Sequence, residues 1–140
     1  MKVLIDTNVI LDFFLIREPQ LAEADKIFEL IYKEEIRAFT TASCITDIYY
    51  IVCKKCGEDL ARDAVRQLLK MFGVIAVDGS DCLSALDLPI ADFEDALVVT
   101  CAKKETVDYI VSGDRGFMQI DAQFAKLVDS KEFLNIIDKH

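Results

Sequence analysis

Histidine is almost missing from this chain, which holds a single copy at His140. A closed zinc site therefore lacks ligands, and no Ser/His or Cys/His pair offers a nucleophile. Proline occurs twice, at Pro19 and Pro89, and each stands beside an expected helix start. No repeat, low-complexity tract or Pro/Gly-rich linker breaks the sequence, so residues 1–140 are expected to form a single domain. No apolar run approaches the roughly eighteen residues of a membrane span. The opening Met1-Lys2-Val3-Leu4-Ile5-Asp6 also meets an acid too early for a signal-peptide apolar region. The expectation is a soluble, cytoplasmic protein with no membrane partner. No P-loop or GxGxxG is present.

Cysteine is present five times, an odd number that argues against a disulfide framework. Cys44, Cys53 and Cys101 lie in apolar runs and read as buried thiols, and Cys53-Lys54-Lys55-Cys56 has no second CxxC to complete a metal site. Bases are the scarcer charge. With 25 acids against 16 bases the net charge is −9, which opposes general attraction to nucleic acid unless cations or a basic partner cover the acids.

The hydrophobic share of 53% is ample for one core. Short apolar runs at Val3–Ile5, Ile36–Phe39, Val74–Val77, Tyr109–Val111 and Lys126–Val128 read as strands. Between them, helical patterns run over Asn8–Phe14, Gln20–Lys33, Thr41–Lys54, Glu58–Phe72, Ser80–Leu86, Ile90–Glu105 and from Lys131 onward. Strands alternating with helices predict an α/β fold with a parallel sheet covered on both faces. Such sheets place their sites at the C-terminal ends of strands, near a topological switch point.

Aspartates gather at those ends. Asp6 follows the first strand directly and is suited equally to capping the next helix or to serving a site. Asp114 stands in the same relation to the fourth strand, after Ser112, which can orient a carboxylate, and Gly113. Asp92 and Asp95, three residues apart, share a face at the start of a helix whose dipole favours acids. Asp95 leads into the apolar Ala96-Leu97-Val98-Val99 and is the functional choice there, whereas Glu94 is expected to face solvent. Asp47 interrupts an apolar helix and needs a partner, either Lys54 or Lys55 or a shared cation. Clustered carboxylates repel unless a hard cation such as Mg²⁺ or Mn²⁺ is bound, and the chemistry that cation supports here is phosphodiester hydrolysis.

These segments resemble the PIN domain, and within it the VapC-like toxins of toxin–antitoxin pairs. Val3-Leu4-Ile5-Asp6-Thr7-Asn8-Val9-Ile10-Leu11-Asp12 is similar to the first motif of that family. Asp95-Ala96-Leu97-Val98-Val99 with Cys101-Ala102 is similar to the third, and Val111-Ser112-Gly113-Asp114-Arg115-Gly116-Phe117 to the fourth. The resemblance implies a three-layer α/β/α sandwich with a five-stranded parallel sheet. It also implies a metal site of Asp6, Asp95 and Asp114, with Asn8 and Ser112 as polar supports and Asp92 as a supplement. Asp47 takes the place of the second catalytic acid, where the family more often has Glu, and Gly116 stands where many members carry another acid. The implied activity is Mg²⁺- or Mn²⁺-dependent cleavage of RNA, with an antitoxin protein as partner and a homodimer as the assembly.

Two alternatives stay within the fold: a nuclease of RNA processing, or a catalytically silent binding module. A third, phosphotransfer through Asp6, lacks the second acid that it would need at Asn8. Arg17, Lys54, Lys55 and Arg115 are candidates for phosphate contacts or for plain surface charge.

Overall fold

Successive side chains of a strand point to opposite faces, and strand β1 (Lys2–Ile5) uses both. Val3 and Ile5 enter one core and Leu4 the other, each fully buried. Around it stand β2 (Arg37–Thr41), β3 (Gly73–Ile75), β4 (Tyr109–Val111) and β5 (Leu127–Val128). They form a five-stranded sheet in the order β3-β2-β1-β4-β5, parallel throughout. The computed structural model describes residues 1–121, 123 and 125–139, so His140 lies outside the described residues.

The helices are α1 (Thr7–Phe14), α2 (Leu21–Tyr32), α3 (Ala42–Cys56), α4 (Glu58–Met71), α5 (Gly79–Leu86), α6 (Phe93–Glu105), α7 (Arg115–Met118) and α8 (Ser130–Asp138). Ile10, Phe28, Ile48, Leu68 and Phe133, from α1 to α4 and α8, pack with Val3, Ile5, Ala38 and Val111. On the other face, Val98 and Val99 of α6 and Phe117 of α7 pack with Leu4, Phe39 and Ile110. This is the expected α/β/α sandwich. Burying a Val, Leu, Ile or Phe contributes roughly 1.5–3 kcal/mol, so a one-residue slip of β1 would exchange large apolar groups between two filled cores. Helix α6 buries Ala96, Leu97, Val98 and Val99 in succession because α5 covers its outer side through Ala85.

From β1 the chain steps outward to β2 and β3, then returns to lay β4 on the other side of β1. The β1–β4 boundary is therefore the switch point, where loops diverge and leave a crevice beyond the strand ends. Several expected boundaries move. β2 runs on to Thr41, whose hydroxyl also caps α3 by accepting the Cys44 N–H at 3.1 Å. β3 ends at Ile75. α6 begins at Phe93 rather than Ile90 because Asp92 caps it, and the four-residue α7 was not expected. Cys44 and Cys101 are buried as free thiols, and Cys53 is only partly covered. No helix among the described residues is long and apolar enough to cross a membrane.

Candidate functional site

Parallel pairing of Ile5 with Val111 sets the ends of β1 and β4 side by side, and the Asp6 N–H continues the ladder to the Val111 carbonyl at 2.9 Å. Asp6 caps α1 and is tied to β4 at once. Its Oδ1 accepts the Thr7 N–H at 2.8 Å, and its Oδ2 accepts the hydroxyl of buried Ser112 at 2.8 Å. The same Ser112 oxygen accepts the Asp114 N–H at 3.1 Å, so one side chain ties both aspartates to β4. Asn8 Oδ1 accepts the Gly113 N–H at 3.1 Å and joins α1 to the turn after β4.

Asp114 caps α7, with Oδ1 accepting the Gly116 and Phe117 N–H groups at 2.9 and 3.3 Å. A side chain at Gly116 would put its Cβ 3.3 Å from that same oxygen, so glycine lets the carboxylate lie close against the turn. Phe117, fully buried, anchors the turn from below. Across the cleft, Asp92 caps α6 by accepting the Asp95 N–H at 3.0 Å, which sets the first helical turn and with it the Asp95 carboxyl.

Burial and neighbouring charges raise several of these acids. Burial is the largest influence raising the Asp95 pKa, to about 6, and Asp92, Asp114 and Asp6 add to it in that order. Asp6 is also raised, chiefly by burial; the Ser112 and Thr7 hydrogen bonds oppose the rise, and Asp114 and Asp92 reinforce it. Asp47 does not pair with Lys54 or Lys55 in any described ion pair. Its side chain instead meets Glu94, whose pKa rises to about 7 through that hydrogen bond, partial burial and the charges of Asp47, Asp92 and Asp6.

Glu94 is exposed, as expected, and its side chain also reaches Asp47. The reason is tertiary: α3 presents Asp47 to the first turn of α6, and no spacing within either helix announces it. Arg17 is engaged with Asp12 at 3.7 Å, and Arg115 begins α7 directly after Asp114.

Asp92, Asp95, Asp114 and Gly116 line a cleft of 410 Å³. A larger hollow of 980 Å³ lies at the opposite ends of the strands, beside Met1, Ile36 and Arg37, and touches none of these carboxylates. The cleft's side-chain donors are carboxylate oxygens without imidazole or thiolate, the chemistry that suits a hard divalent cation. No group of three His, Cys, Asp or Glu among the described residues is drawn together as a ready metal-coordinating set. Mg²⁺ fits such an open arrangement, because it keeps several waters and takes only one or two carboxylates directly.

A parallel α/β/α sandwich with aspartates gathered at its switch point is the architecture of a small α/β protein with an acidic cleft. The chain belongs to the PIN domain family, whose pattern matches residues 2–116. It is 25% identical over 127 residues to Ribonuclease VapC1 of Aquifex aeolicus, an alignment covering 87% of this chain and 88% of that protein.

Its fold is similar to that of VapBC2 from Rickettsia felis, solved bound to a DNA fragment from their promoter. That likeness has a TM-score of 0.69 and 15% identity, covering 92% of this chain and 98% of that one. It is also similar to VapC20 of Mycobacterium tuberculosis, a sarcin–ricin loop cleaving toxin. There the TM-score is 0.67 with 16% identity, over 83% of this chain and 92% of that one.

Proposed function

We propose that this chain is a metal-dependent endoribonuclease that hydrolyses RNA phosphodiester bonds and serves as the toxin of a toxin–antitoxin pair. The observation that carries the reading is the meeting of Asp6, Asp95 and Asp114 at the β1–β4 switch point, where they act on one another's charge. Likeness to a ribonuclease over most of the chain supports the reaction, and likeness to VapBC proteins supports an antitoxin as partner. A net charge of −9 is consistent with a basic partner. A homodimer and a cytoplasmic location belong to the proposal on the family resemblance.

Mg²⁺ or Mn²⁺ held by Asp6, Asp95 and Asp114 would supply an activated water and stabilise charge developing on the phosphate. The chain's own residues hold that arrangement in place. Ser112 and the Thr7 N–H fix both oxygens of Asp6, and the Gly116 and Phe117 N–H groups fix Asp114. Asp92 sets the turn that carries Asp95, Asn8 steadies Gly113, and Asp47 supplies the acid from α3. Side chains locked this way keep their positions when substrate arrives.

Purified protein should cleave RNA in Mn²⁺ or Mg²⁺, and Asp6→Asn and Asp95→Asn should each abolish it. Undiminished cleavage by both variants would trace the activity to a contaminant and sink the reading. One observation favours a second reading, a binding module without catalysis: the carboxylates are not drawn into a ready coordinating set. Calorimetry separates the two, since a silent module would take up no divalent cation at millimolar concentration.

A further inference from the structure

Two hollows meet at the turn that follows β4. Asp114 lines the acidic cleft, and Gly113, the residue before it, lines a second hollow of 260 Å³ between α1 and the starts of α2 and α8. Consecutive Cα atoms are about 3.8 Å apart, so the two hollows are neighbours. Asn8 Oδ1 accepts the Gly113 N–H at 3.1 Å and holds the shared turn in place.

The second hollow has an apolar part, from buried Val9 and the ring of Pro19, and a polar part rich in acceptors. Its acids are not equivalent. Asp12 is engaged by Arg17 at 3.7 Å, and Asp129 caps α8 by accepting the Glu132 N–H at 2.8 Å. Glu23, half-buried on α2, enters no described ion pair. Carboxylates repel a phosphate but accept hydrogen bonds, so this hollow suits an unstacked base better than the RNA backbone. Guanine is the base with two adjacent donors, N1–H and N2–H₂, on its Watson–Crick edge. Adenine, cytosine and uracil each set an acceptor beside their donor. An ionised carboxylate has two acceptor oxygens and no donor, which matches guanine and mismatches the other three.

We propose that this hollow seats a guanine of the RNA beside the phosphate that is cut, with Glu23 reading its Watson–Crick edge and Val9 and Pro19 covering its face. This deepens the reading of the chain as a ribonuclease to a base preference and rests on it.

The test is NMR titration of the full chain in Mg²⁺ with guanosine, inosine and adenosine 5′-monophosphate, together with RNA cleavage in Mn²⁺, for wild type, Glu23→Gln and Glu35→Gln. The three nucleotides share ribose and phosphate, and inosine lacks only the 2-amino group of guanosine, so their differences report on the base. Glu35 is exposed beside the hollow at the far end of the sheet, so its variant makes the same charge change elsewhere. The guanosine nucleotide should shift the Gly113 and Lys131 amides and bind wild type about tenfold or more tighter than the adenosine one, with inosine between. Glu23→Gln should lose that preference, because its amide presents a donor to guanine's donors, and should lose the bias of cleavage toward guanine as well. Glu35→Gln should keep both.

Equal binding of the guanosine and adenosine nucleotides by wild type, or a guanine preference that survives in Glu23→Gln, would overturn the base pocket and leave the nuclease reading standing. A guanine preference in binding without RNA cleavage by wild type would overturn the nuclease reading and leave the pocket standing as a nucleotide site.

Discussion

Where the strands begin, several acids have partners: Lys2 reaches Glu105 at 3.5 Å, the Lys2 backbone N–H donates to Asp108 at 2.9 Å, and Lys33 holds Glu29 at 2.7 Å. Where β1 and β4 finish, Asp6, Asp95 and Asp114 act on one another and Glu94 meets Asp47, and none of the five enters a described ion pair. The first end is arranged as stability alone would arrange it. At the second, burial and neighbouring charges hold Asp6, Glu94 and Asp95 above the ordinary carboxylate range, a cost to the apo fold that a bound cation would offset. Strongly shifted groups gathered in a cleft are the usual mark of a working site, whereas the hollow at the first end, though larger, contains none of them.

The comparison breaks most visibly if the acidic end is dispensable. Asp95→Asn or Asp6→Asn should lower RNA cleavage in Mn²⁺ by at least about 10²- to 10³-fold, the scale of losing one charge-stabilising group. An assay of initial rates checks this.

Ser112→Ala should cost about 1.5–3 kcal/mol of stability, as for a hydrogen bond to a charged group, and should slow cleavage by releasing Asp6 and the Asp114 turn. Denaturant unfolding and initial rates measure the two effects.

Titration sharpens the contrast further. The folded-state pKa values of Asp95, about 6, and Glu94, about 7, lie above ordinary carboxylate values near 4. A raised acid favours the fold while it is protonated. The contribution of these two groups therefore falls as pH rises from about 4 to about 7 and is level above that. Metal-free protein should melt lower at pH 8 than at pH 5, with a smaller difference in Asp95→Asn, as calorimetric scans would record.

At the other end, Lys2→Met removes a partly exposed pair and should change stability by no more than about 1 kcal/mol, leaving cleavage unaltered.

Short apolar runs such as Val3-Leu4-Ile5 and Tyr109-Ile110-Val111 were enough to locate all five strands, and their alternation with helical patterns to predict a parallel sheet, whereas the strand order was not legible. Asp6 and Asp114 were recognisable at the strand ends for the same reason. Helix α7 escaped because four residues carry no periodicity; its signal was Asp114 followed by the turn-permitting Gly116. The start of α6 was misplaced because Ile90 and Ala91 fit an apolar helix, while the deciding feature is the Asp92 cap on the Asp95 N–H. The exposure of Glu94 was legible, but its contact with Asp47 was not. Its neighbour in space, Asp47, lies two helices and a strand earlier in sequence.

The direct test of the central claim is a crystal grown in Mn²⁺ and measured for anomalous scattering at the β1–β4 switch point. An Mn²⁺ peak among Asp6, Asp95 and Asp114 is the expected result. A cleft without such a peak, under conditions that fill other Mn²⁺ sites on the molecule, would contradict the claim.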